Sequence, residues 1–83
     1  MTAERRVTPR YEISRVGQIT VDGAREPIDC FVRDISSSGA LVVVQAPKAI
    51  PKTFRLHIVG SARQRTCEVK RRTTETLGVR FID

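Results

Sequence analysis

Beyond its first ten residues the chain is a succession of short runs in which apolar and polar positions alternate, the period-two pattern of strands with one buried face. Residues 11–21 read as a first strand, with Ile13, Ile19 and Val21 in one phase and Val16 out of it. Gly17 stands where a bulge would repair that phase or a barrel strand would bend. Asp22-Gly23, extended as far as Pro27, is a turn. Residues 28–33 then alternate Ile28, Cys30 and Val32 against Asp29, Phe31 and Arg33. Residues 40–44 are continuously apolar and need cover on both faces or a place in a closed barrel. After a loop framed by Pro47 and Pro51, a fourth strand alternates Phe54, Leu56 and Ile58 with Arg55, His57 and Val59. Gly60-Ser61 turns the chain into a fifth strand, with Cys67 and Val69 in one phase and a strongly basic remainder from Arg63 to Arg72. Thr73-Thr74-Glu75 is a hairpin signal, and Leu77, Val79 and Phe81 alternate with Gly78, Arg80 and Ile82 in the last strand.

Six short strands with regular turn signals and no helical period predict an all-β fold, a small six-stranded antiparallel barrel or compact sandwich with little or no helix. Closure is the better solution, because a small open sheet leaves an aggregation-prone edge. Eighty-three residues suffice for one domain. The reading divides it into a flexible basic arm at 1–10 and a barrel at 11–83.

Composition narrows the partner. The net charge of +6 arises from fifteen basic against nine acidic residues, and twelve of the fifteen are arginine. Arginine favours planar, forked contacts with phosphate or base edges, which leaves nucleic acid, anionic lipid and a small nucleotide as ligand classes. Cys30 and Cys67 lack the close spacing of a metal knuckle or redox pair and read as buried reduced thiols. His57 is the sole histidine and falls in the outward phase, so no nucleophile and base can be assembled. The expectation is therefore a binding protein, not an enzyme, with neither metal nor cofactor. Lacking a membrane-length apolar run and an apolar leader, it is expected in the cytoplasm without membrane insertion.

Two stretches carry the candidate chemistry. Asp34-Ile35-Ser36-Ser37-Ser38-Gly39 separates the second and third strands with turn formers. It would present a carboxylate at Asp34, a hydroxyl at Ser36 and open backbone N–H groups, with Gly39 permitting a positive φ. Taken alone, such a run is a hairpin connection. In Glu4-Arg5-Arg6-Val7-Thr8-Pro9-Arg10, Pro9 biases Thr8 toward an extended conformation. Arg6 and Arg10 are then at most roughly 13 Å apart and can grip one compact anion from two sides. Taken alone, that stretch is a basic tail.

Arg6-x-x-x-Arg10 ahead of the first strand and Asp34-x-Ser36-x-x-Gly39 after the second, in this order, resemble the RxxxR arm and [D/N]xSxxG loop of PilZ domains. Gly78-Val79-Arg80-Phe81 also resembles the family's last strand, and the likeness runs from about residue 4 to 82. The resemblance implies a six-stranded barrel that binds the bacterial second messenger cyclic di-GMP, with the arm folding over the ligand and a downstream protein reading the result. It implies that Arg6, Arg10, Asp34, Ser36 and Gly39 contact the ligand. Arg5 matches the position that in members favours a stacked pair of ligand molecules. Two departures accompany the likeness. Many members continue into a helix that packs on the barrel, whereas this sequence stops at Asp83, and the expectation is that one opening is bare or covered by a second subunit in a homodimer. Members also often carry a large apolar or aromatic residue late in the fifth strand, where this chain has Lys70-Arg71-Arg72. The alternatives are a nucleotide-independent protein-interaction module and a basic barrel for single-stranded nucleic acid. The latter needs exposed aromatic side chains, for which Tyr11, Phe31, Phe54 and Phe81 are the only candidates.

Overall fold

The computed structural model describes residues 14–83. They form six antiparallel strands, β1 (Arg15–Thr20), β2 (Ile28–Arg33), β3 (Gly39–Val43), β4 (Thr53–Ile58), β5 (Gln64–Arg72) and β6 (Thr76–Phe81), closed in the order β1-β2-β3-β6-β5-β4. Closure leaves no free sheet edge to template aggregation, as expected for a sheet this small. The only helical turn among the described residues is a single 3-10 turn at Pro47–Ala49. Of the predicted first strand, residues 11–13 and the arm before them lie outside the described residues.

The inward phase of each strand builds one core. Ile19, Val32, Val42, Leu56, Cys67 and Leu77 are fully buried, and Val44, Phe54, Val69 and Val79 complete the packing. Burying one such aliphatic side chain contributes about 1.5–3 kcal/mol, so alternation alone selects this register over one slipped by a residue. The apolar run 40–44 divides as a barrel wall should, with Val42 and Val44 inside and Leu41 and Val43 on the outer surface, half-buried. Burial pushes the Cys30 thiol up to about 11 and that of Cys67 to about 12, so neither holds a thiolate at neutral pH.

Two sequence expectations are corrected here. Gly17 is not a bulge: β1 pairs without interruption with β2 and β4, and Val16 simply points outward, 50% exposed. Gly17 shares the inward phase of Ile19, and a Cβ there would sit 2.8 Å from Val32 Cγ2. The irregularity lies in β5 instead, where Val69 pairs with Val79 but Arg71 with Gly78, which leaves Lys70 as an extra residue. That extra residue reverses the phase of the strand's end. Arg71 faces outward, and Arg72, opposite Leu77, reaches the 3-10 turn and donates to the carbonyls of Pro47 and Ile50, the latter at 2.7 Å. Part of the basic run is thus a structural tie.

Candidate functional site

The Asp34–Gly39 corner follows from its residue types. Asp34 has φ +50°, the left-handed region that Asp tolerates better than most side chains, and this turns the chain sharply out of β2. Ser36 then organises the turn. Its N–H donates to the Gly39 carbonyl at 2.8 Å, while its Oγ accepts the N–H groups of Ser38 and Gly39, both at 3.2 Å. The hydroxyl proton has the Gly39 carbonyl at 3.3 Å and Ser38 Oγ at 3.2 Å within reach. The corner is laced to the last strand by Phe81 N–H donating to the Ser38 carbonyl at 2.8 Å, next to the Gly39–Arg80 pair.

This geometry alters three expectations. Gly39 does not adopt a positive φ; the residue that does is Asp34. Glycine is required at 39 by proximity, because a Cβ there would lie 2.2 Å from the Val79 carbonyl oxygen. The open backbone donors are fewer than expected, since the amides of Ser36, Ser38 and Gly39 are engaged within the corner. Ser36 remains exposed, with its hydroxyl shared among internal partners, while the exposed Asp34 carboxylate makes no hydrogen bond or ion pair among the described residues.

Arg5, Arg6 and Arg10 lie outside the described residues. Where their segment joins the barrel is nonetheless fixed: Arg15 pairs with Val32, two residues before Asp34. Arg10 and Arg6 stand five and nine residues before Arg15. Their chain reach from that point is at most roughly 18 Å and 32 Å. The segment therefore starts at the corner's end of the barrel, and its arginines are tethered within range of Asp34.

The outer surface beside the corner holds charge that sequence alone did not connect to it. In the row Gly39–Arg80–Glu68 across β3, β6 and β5, Glu68 receives Arg80 at 3.8 Å, Lys70 at 3.6 Å and Lys52 at 4.0 Å. Alternation put Arg80 on the outer face, but only the strand order β3-β6-β5 reveals that it lies next to Gly39. At the opposite end of β2, an open groove of about 760 Å³ lies between β2 and β3, lined by Val16, Phe31, Val43 and Glu75 among others.

Compared with known families, residues 4–83 match the PilZ domain model. The chain belongs to the PilZ domain family. No curated protein matches it. PilZ domains are a family of cyclic di-GMP receptors, binding modules and not catalysts, and the closed six-stranded barrel agrees with that membership. Within this PilZ domain no helix among the described residues is long and apolar enough to cross a membrane.

Proposed function

We propose that this PilZ domain binds cyclic di-GMP between its N-terminal arginines and the Asp34–Gly39 corner, and passes the signal to a downstream protein partner. The observation that carries the reading is the exposed Asp34 carboxylate at the end of β2 toward which the N-terminal segment is attached. In this reading Arg6 and Arg10 donate forked hydrogen bonds to the phosphates or to the O6/N7 edge of guanine. Asp34 accepts from guanine N1 and N2 or holds one of the arginines, and Arg5 supports a second, stacked ligand molecule. Ser36 holds the corner's shape and offers its hydroxyl to a phosphate oxygen at the cost of one long internal bond. Gly39 lets β3 and β6 close tightly under the ligand. Ordering the arm over the ligand changes the surface offered to a partner.

The nucleic-acid alternative is disfavoured by the shortage of stacking surfaces. Phe54 is buried, Phe81 lies beneath the Arg65 guanidinium at 4.1 Å, and among the described residues Phe31, 53% exposed, is the one open aromatic ring. Isothermal titration of the full chain with cyclic di-GMP is expected to give saturable binding. A flat titration, accompanied by salt-sensitive, sequence-indifferent uptake of a single-stranded oligonucleotide, would refute the receptor reading.

A further inference from the structure

The large apolar side chains left on the surface of this barrel are not scattered. Among the described residues five are exposed, and three of them, Val16, Phe31 and Val59, fall in one row of the outer wall. The Val59 N–H donates to the Val16 carbonyl at 2.9 Å, Val16 pairs with Phe31, and Phe31 pairs with half-buried Val43. The row thus runs from the end of β4 across β1 and β2 to β3, roughly 14 Å from first Cα to last. Single exposed apolar residues need no explanation, but a contiguous stripe of them marks an interaction surface. The groove beside Phe31 gives the stripe depth, with the buried Cys30 and Val44 in its lining.

The charges beside the stripe say what covers it. On the outer face of β2 the order is Asp29, Phe31, Arg33, which sets an anion and a cation two residues from the ring, one on each side of the row. Both are exposed, and neither forms an ion pair among the described residues. The same polarity continues along the row: Glu75 lines the groove on the Asp29 side, and Arg71 stands on the Arg33 side, in the row Arg33, Leu41, Gly78, Arg71. A stripe that is negative along one margin and positive along the other is complementary to itself. When two copies meet face to face about a two-fold axis running along the row, Phe31 lies on Phe31 of the second copy and each Asp29 faces an Arg33. An axis along the strands would instead set Arg33 on Arg33 and Asp29 on Asp29, so charge selects the first arrangement. Sheets packed face to face stand about 10 Å apart, a gap that an aspartate and an arginine side chain span together.

We propose that the Val59, Val16, Phe31 and Val43 stripe pairs with its counterpart on a second copy of this chain, in a two-fold dimer held by reciprocal Asp29–Arg33 ion pairs. The second copy sits on the barrel wall and not over an opening, and the pairing stands independently of the receptor reading. Two convex walls touch over few strands, so the interface belongs with the small ones, below about 1,200 Å² in total, and the dimer is a micromolar one. Sedimentation equilibrium of the full chain without ligand, loaded from about 1 μM to 1 mM to bracket that affinity, should show monomer giving way to dimer. Asp29→Arg and Arg33→Asp each place like charges across the axis, and each alone should raise the dissociation constant about tenfold or more. Mixed in equal amounts, the two variants should form a heterodimer about as tight as the wild-type dimer, since each supplies the charge that the other lacks. That recovery also shows both variants to be folded. A wild type that stays monomeric across the range, single variants that dimerise like the wild type, or a mixture that stays monomeric would each overturn the proposal.

Discussion

Replacing Gly39 with alanine is expected to cost about 3 kcal/mol of stability, at the upper end of what overpacking a well-packed site ordinarily costs. The added Cβ would be placed 2.2 Å from the Val79 carbonyl oxygen, a backbone atom that no rotamer change can move. Relief requires β3 and β6 to part at their first pair, Gly39–Arg80, which also loosens the Phe81 to Ser38 hydrogen bond. Against a typical domain stability of about 5–15 kcal/mol this is a large fraction, and it lowers the thermal midpoint by roughly 12–24 °C. Differential scanning calorimetry reads it directly. A midpoint within a degree or two of the wild type would mean that the corner accommodates a side chain freely, and that glycine is there only for the ligand.

The second large effect concerns the arm. Arg6→Ala and Arg10→Ala are each expected to lose about 1.5–3 kcal/mol of cyclic di-GMP binding, the range for a hydrogen bond to a charged group, or roughly 10- to 150-fold in Kd. Neither change should alter unfolding by more than about 0.5 kcal/mol, as for surface substitutions away from structural features. Titration calorimetry paired with thermal denaturation separates the two quantities. Affinities unchanged in both variants would remove the arm from the mechanism.

Most of the barrel was legible because period-two alternation survives in β2, β4, β6 and the first part of β5, and the turn signals at Asp22-Gly23, Gly60-Ser61 and Thr73-Thr74-Glu75 fall where the chain reverses. Features that depend on pairing partners were not. The β5 bulge is invisible in Lys70-Arg71-Arg72, since three consecutive basic residues have no apolar phase to betray an inserted position, and so the opposite directions of Arg71 and Arg72 could not be read. Gly39 was identified as a special position for the wrong reason: its need comes from Val79, forty residues later, while the left-handed backbone sits at Asp34. Val16 was misread as a phase error because a small antiparallel barrel admits apolar residues on its outer wall, where they cost little.

The same distinction applies to the site. Asp34, Ser36 and Gly39 were legible as a polar corner from their turn chemistry, and the structure brings them together at one end of β2. The internal use of the Ser36 hydroxyl was not legible, because it depends on how Ser38 and Gly39 fold back upon it.

The central claim is that arm and corner close on one ligand, and a distance between them tests it most directly. Thr8 lies between the two arginines of the arm and exposed Ser37 within the corner, and each can be exchanged for cysteine and spin-labelled. Cys30 and Cys67, held protonated in the core, stay unlabelled at neutral pH. Dipolar spectroscopy on the doubly labelled chain should show the distance distribution shorten and narrow when cyclic di-GMP is added to saturation. A distribution that stays the same while the ligand is bound would contradict the account.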